Sequence, residues 1–225
     1  LNFFAHATVA SWHRSQHGFV LGSMLPDFAG MIGSRLARVS DPQIADGISL
    51  HHRTDHVFHG CATFQQLIAD GNAWLQDRGV ARGGSRGASH VGIELLLDGE
   101  LVGDSEVAEL YLGALRAGAT DALGTCIEWS DPEGRERWRA ALARLIANGV
   151  PMGYRDPAWV ARAVVRALSS RPRLALDSAA ESAVAEWLLV ARDAVRRAAP
   201  ELLRAVRSGL AADPRGTDEA GPGPS

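Results

Sequence analysis

The chain has 225 residues, 46% hydrophobic and 22% charged, with a formal net charge of -3. That length supports a substantial core, and 24 glycines and 10 prolines are too few for a collagen-like or disordered class. No apolar run is long enough to span a bilayer, no basic segment precedes Leu1, and Cys61 and Cys126 make neither a disulfide framework nor a thiolate zinc site. A soluble, cytoplasmic protein without a signal peptide or membrane association is expected.

Ala, Leu, Arg and Glu dominate long stretches, and strict apolar–polar alternation is rare. The expected fold is therefore all-α, with strands poorly supported. Helices are predicted near 2–16, 18–25, 41–59, 61–77, 88–102, 105–118, 132–148, 156–170, 178–197 and 199–210. Asp41-Pro42 and Asp156-Pro157 read as an N-cap followed by a first-turn proline; Asp131-Pro132 repeats the pattern, with Ser130 as an alternative cap. Gly79 to Gly87 reads as a glycine-rich loop. Residues 1–212 are expected to form one helical domain and 213–225 a disordered tail.

Charge and chemistry are unevenly distributed. All 23 basic residues are arginine, and all eight histidines lie within the first 90 residues. Residues 1–130 carry 8 Arg against 14 Asp and Glu; residues 131–225 carry 15 Arg against 12. Histidine and carboxylate therefore concentrate in the first half, where chemistry is expected.

Within 41–59, helical rotation places Ile48, His51, Asp55 and Phe58 within about 40° of Ile44. His51 and Asp55 thus occupy an apolar stripe, spaced i, i+4, so that one ion can touch both. Within 88–102, Asp98 shares a stripe with Val91, Leu95 and Val102, with Glu94 one turn earlier and His90 a turn before that. His6 lies in the apolar run Phe3-Phe4-Ala5-His6-Ala7-Thr8-Val9-Ala10, and Asp27 follows Met24-Leu25-Pro26. A buried carboxylate is costly unless it is paired, hydrogen-bonded or bound to a cation. Several such exceptions on separate helices point to a shared metal site built from His6, Asp27, His51, Asp55 and Asp98. That donor set suits Mn²⁺, Fe²⁺, Zn²⁺ or Mg²⁺. Arg53 is a candidate for steadying a phosphate oxygen or for pairing a carboxylate, and His52 or Glu94 for general acid–base work.

The same residues resemble a known family. Asn2-Phe3-Phe4-Ala5-His6 looks like the N-F-L-A-H opening of bacterial acyl carrier protein phosphodiesterases. Gly22-Ser23-Met24-Leu25-Pro26-Asp27-Phe28 is similar to their G-N-hydrophobic-L-x-D-F segment, and Gly47 to Asp55 to their G-I-x-hydrophobic-H-R-x-I-D run. Glu94 to Asp98 resembles a later D-x-x-x-D-H-F helix, with Glu94 in place of an Asp and Gly99 in place of the His. Phe58-His59 stands where the family often has Thr-Asp. The resemblance covers residues 1 to about 102 and implies an HD-like metal-dependent phosphohydrolase, with Mn²⁺ as first choice. It implies that His6, Asp27, His51, Asp55 and Asp98 are metal or catalytic residues, and that the reaction releases phosphopantetheine from a holo-carrier protein.

A second resemblance is to zinc-dependent phospholipase C and related nucleases, through Gly22 to Asp27 as G-x-x-x-P-D and His90 to Glu94 as an H-x-x-x-E helix. The alternative from a different class is a non-enzymatic helical adaptor whose inward polar groups form a buried hydrogen-bond network. Nucleic acid is not an expected partner, since net charge is negative and no aromatic-plus-basic stripe appears. An acidic carrier protein would require a basic docking face, and the expected positions are Arg135, Arg137, Arg139 and Arg144 on one helix and Arg192, Arg196 and Arg197 on another.

Overall fold

The computed structural model describes residues 1–212. They form a multi-helix all-α bundle: α1 (Phe3–Ser11), α2 (His17–Met31), α3 (Pro42–Gly60), α4 (Ala62–Gln76), α5 (Arg82–Leu101), α6 (Ser105–Gly118), the single turn α7 (Asp121–Gly124), α8 (Gly134–Asn148), α9 (Pro157–Ser169) and α10 (Ser178–Ala212). A 3-10 turn at Met152–Arg155 precedes α9. The predicted tail 213–225 lies outside the described residues.

The bundle wraps around α1. Every residue from Phe3 to Ala10 is buried, and α1 packs against α2, α3, α5 and α6. A helix apolar on all sides belongs in a core, and His6 and Thr8 are carried inside with it. Phe4, Phe28, Tyr111 and Trp138 are among the largest fully buried side chains around it.

The most extensive helix contact is between α2 and α3. Gly22 and Gly47 face each other there. A Cβ at Gly22 would fall on the carbonyl of Ile44, and one at Gly47 on the carbonyl of Phe19. The missing side chains let the two backbones touch, and this close approach fixes the separation of Asp27 on α2 from His51 on α3. The Asp41 carboxylate accepts from the Ile44 amide at 2.9 Å and Pro42 opens α3, as the sequence indicates. Asp156 caps α9 in the same way.

Several expectations are corrected. α2 runs through Pro26 to Met31 rather than stopping at residue 25. Proline there forfeits one backbone hydrogen bond, and the burial of Phe28 and Ala29 offsets the loss. α10 likewise runs unbroken through Pro200. The glycine-rich stretch is helical from Arg82 onward, because Gly83, Gly84 and Gly87 leave room for Leu168 and the chain at 173–176 to press against α5. Asp131 does not cap α8: its carboxylate takes hydrogen bonds from Ser34 and, at 2.8 Å, from Arg137. Two short strands, β1 (Leu36–Val39) and β2 (Ile127–Trp129), pair antiparallel. They are too short for a period-two pattern to register.

An apolar cleft of about 120 Å³ between α4, α5 and α10 is lined by Leu67, Trp74, Trp187 and Val190, among others. Among the described residues, no helix is long and apolar enough to cross a membrane.

The α2–α3 crossing generates the first prediction. Gly47→Ala should cost more than about 2 kcal/mol, because a methyl there meets rigid backbone. Gly30→Ala, where nothing lies within reach of the new Cβ, should leave stability unchanged or raise it by up to about 1 kcal/mol. Urea unfolding of the two variants checks both.

Candidate metal centre

Four of the five residues expected to bind metal come together. His6 arrives on α1, Asp27 on α2, His51 and Asp55 on α3. The His6 and His51 rings stack with centroids 3.9 Å apart. Both are almost wholly buried, with side-chain exposures of 1% and 5%. His6, Asp27 and His51 each offer a ligand atom within 4.8 Å of the others. Asp55 stands beside them, with Oδ1 3.2 Å from His6 Nε2 and Oδ2 3.5 Å from His51 Nε2.

The hydrogen bonds fix what these groups present. His51 Nδ1 lies 2.9 Å from the Ser23 carbonyl. A carbonyl only accepts, so Nδ1 carries the proton and, in the neutral ring, Nε2 faces Asp55 as a bare lone pair. Burial holds the His51 pKa down and so favours that neutral form. Burial likewise lowers His6, to about 3. Neither ring nitrogen of His6 has a hydrogen-bond partner, and neither has Asp27 Oδ2. Nε2 of His6 is close to Asp55 but not in hydrogen-bonding geometry. Buried lone pairs left facing carboxylate oxygens are unfavourable by themselves and are the donor set of a divalent cation.

A second cluster adjoins the first. His59 on α3 and His90 on α5 each place Nε2 3.1 Å from Glu94 Oε1. The same oxygen is 3.0 Å from the backbone nitrogen of Leu1, which also lies 2.9 Å from Asp55 Oδ1. That nitrogen therefore sits between the carboxylates of the two clusters. Burial opposes ionisation of Glu94, and hydrogen bonds from His59 and His90 help hold it well below the usual range. Asp55 is held low against burial by His6. Asp27 goes the other way. Burial, reinforced by Glu94, Asp55 and Asp98, raises it well above the usual value. The two clusters bring the carboxylates of Asp27, Asp55 and Glu94 close together, and both clusters are able to chelate a divalent ion.

Three sequence-derived assignments land elsewhere. Asp98 does not join either cluster. Its Oδ2 accepts from Asn2 Nδ2 (2.6 Å) and the Phe4 amide (3.2 Å), and its Oδ1 from the Ala5 amide (2.8 Å). Asp98 therefore caps α1 from across the core. Burial raises its pKa to about 7 even so. Arg53 reaches the far side of α3 and donates to the Leu210 carbonyl at 3.1 Å, near the end of α10. His52 is exposed, with its ring edge-on to His51. Glu94, expected to serve as an acid or base, is a potential ligand.

The sequence reading did not assign His59 and His90 to metal. The signal was present: His59 follows Asp55 by four, as Asp55 follows His51, and Glu94 follows His90 by four. The chain matches no protein-family model, no curated protein and no solved structure.

Two predictions follow from this electrostatic arrangement. His6 in the folded state refuses a proton that the unfolded chain accepts below the ordinary value of 6.5. The unfolded state then binds more protons, so His6 makes stability fall as pH drops from 6.5 toward 3. Chemical denaturation of chelator-treated protein should show a shallower fall for His6→Gln than for the parent chain. Separately, Asp98→Ala strips two buried amides of their acceptor and should cost about 2–4 kcal/mol, seen as a lower urea midpoint with unchanged slope.

Proposed function

We propose that this chain is a metal-dependent phosphoric ester hydrolase, and that its substrate is a phosphodiester such as the phosphopantetheine linkage of a holo-acyl carrier protein. The observation that carries the reading is the pair of buried, unpartnered groups His6 and Asp27, gathered with His51 within ligand-atom reach and beside Asp55. Their nitrogen and oxygen donors suit Mn²⁺, Fe²⁺, Zn²⁺ or Mg²⁺, and the family resemblance makes Mn²⁺ the first choice.

A divalent ion held there lowers the pKa of water and offsets charge that develops on phosphoryl oxygens. The residues of the chain do the rest. The Ser23 carbonyl fixes the tautomer and tilt of His51, an orienting role of the kind that sharpens metal sites. The stacked rings exclude water from one side of the site. Asp27 and Asp55, each about a quarter exposed, leave the cluster accessible to solvent on their side. Asp98 holds the start of α1, so that His6 keeps its place.

The resemblance of residues 1 to about 102 to acyl carrier protein phosphodiesterases supports the carrier-protein substrate. The expected docking arginines are in part engaged locally: Arg137 pairs with Asp131 and Glu133, Arg139 with Asp121, and Arg196 with Glu100. The convergence of His90 and Glu94 favours one second reading, a hydrolase of the zinc-dependent phospholipase C type.

The test is turnover of bis-p-nitrophenyl phosphate and of holo-acyl carrier protein. Chelation should abolish both activities, and added Mn²⁺, Fe²⁺, Zn²⁺ or Mg²⁺ should restore them. Asp55→Asn and His51→Gln should each lower kcat/KM by at least about 100-fold. If Arg135 and Arg139 dock the carrier, changing both to Glu slows that substrate alone. If no metal restores turnover and no metal raises the melting temperature, the hydrolase reading falls and the helical adaptor replaces it.

A further inference from the structure

We propose that His59, His90 and Glu94 form a second metal site of a different kind from the inner one. It is open and exchangeable, and its ion meets the substrate. This rests on the reading of the inner cluster as a metal centre.

The geometry of the outer cluster is convergent. Two imidazole Nε2 atoms approach one carboxylate oxygen, Glu94 Oε1, at 3.1 Å each, and the two rings stand 5.0 Å apart. The Leu1 nitrogen adds a third close neighbour to that oxygen. An oxygen offers only about two lone-pair directions, so three donors on it are crowded. An ion placed among the three side chains takes both nitrogens and the oxygen at once and removes the crowding. Phe64 backs the site, 5.4 Å from the His59 ring and 5.5 Å from that of His90, and restricts where the two rings can turn.

Exposure separates the two clusters. His59 and His90 are 37% and 41% exposed, against 1% and 5% for His6 and His51. The inner cluster keeps its two imidazoles in the core, with Asp27 and Asp55 about a quarter exposed beside them. The outer one presents two His and one Glu, with its imidazoles toward solvent. Three-ligand sites such as His₂Glu keep a coordination position open for chemistry. Borderline ions such as Zn²⁺ or Fe²⁺ fit two imidazoles and a carboxylate best.

The two sites are neighbours on one helix face. His51, Asp55 and His59 follow one another at four-residue steps along α3, about 6 Å of rise each. The Leu1 nitrogen, in contact with both Asp55 and Glu94, marks the boundary between the sites. A phosphoester arriving from solvent therefore meets the outer site first, with the inner one behind it.

The experiment uses the full chain, stripped with chelator, reloaded with Zn²⁺ or Mn²⁺ and dialysed. Metal content is measured by mass spectrometry, and Co²⁺-loaded protein by absorption. The parent chain should hold two equivalents, and a graded chelator should remove one well before the other. His90→Gln and His59→Gln, at half-exposed positions, should keep the parent's circular dichroism and melting behaviour. Each should lose the easily removed equivalent with its share of the Co²⁺ spectrum and retain the other. His51→Gln should show the reverse. A parent chain that takes up one equivalent at most overturns the proposal, as do His90→Gln and His59→Gln variants that still hold two. Two equivalents, one of them lost in the outer variants, without cleavage of any phosphoester would leave the second site standing and remove the hydrolase reading instead.

Discussion

The structure depends on how a helix can start inside a core. α1 is buried on every side, yet the first amides of any helix lack partners within it. Left unpaired in an apolar interior, each costs on the order of 1–3 kcal/mol. Asp98, on α5, supplies the missing acceptors to Phe4 and Ala5 and takes the Asn2 side chain as well. Once that anchor is set, the positions of Leu1 and His6 follow from helix geometry. One points its nitrogen between Asp55 and Glu94, and the other brings its ring onto His51. A carboxylate that touches neither cluster thereby positions part of both.

The α2–α3 crossing supplies the other half of the frame. Two glycines let the helix backbones meet, and beside that contact the Ser23 carbonyl accepts a hydrogen bond from His51 Nδ1. A larger side chain at either glycine would push Asp27 and His51 apart together. Packing at a position with no chemistry of its own thus determines whether the chemical residues share a site.

Much of this is legible in the sequence, and the limits have physical causes. His51 and Asp55 stand out because helical rotation puts them among Ile44, Ile48 and Phe58. His6 and Asp27 stand out because apolar residues surround them. Asp98 shows the same signature for a different reason. A buried carboxylate that binds a cation and one that caps a distant helix look alike along one chain, and only the position of α1 distinguishes them. His59 and His90 are half-exposed, so no break in an apolar pattern marks them, and their meeting depends on α1 and α4, each of which packs against both α3 and α5. The glycines at 83, 84 and 87 have the composition of a loop, but they serve close packing against 168 and 173–176, which is tertiary information. Pro26 and Pro200 show local propensity overridden by burial of the residues around them.

The protonation pattern gives the inner cluster a direction. His6 and His51 are held neutral by burial, whereas Asp27 is pushed toward its protonated form by burial and by the carboxylates around it. A site meant only to be satisfied by hydrogen bonds would place the Asp27 proton on a neighbouring acceptor, yet Asp27 Oδ2 is 3.9 Å from His6 Nε2 and neither atom has a hydrogen-bond partner. The imidazoles are already in the form that binds metal, and one carboxyl must give up a proton to complete the donor set. An entering cation would displace that proton, because metal ligands bind deprotonated. Asp55 and Glu94, held ionised, would draw the cation in. The arrangement is costly as a bare core and becomes self-consistent once a divalent charge occupies it. The potential ligands thus come from four helices, α1, α2, α3 and α5.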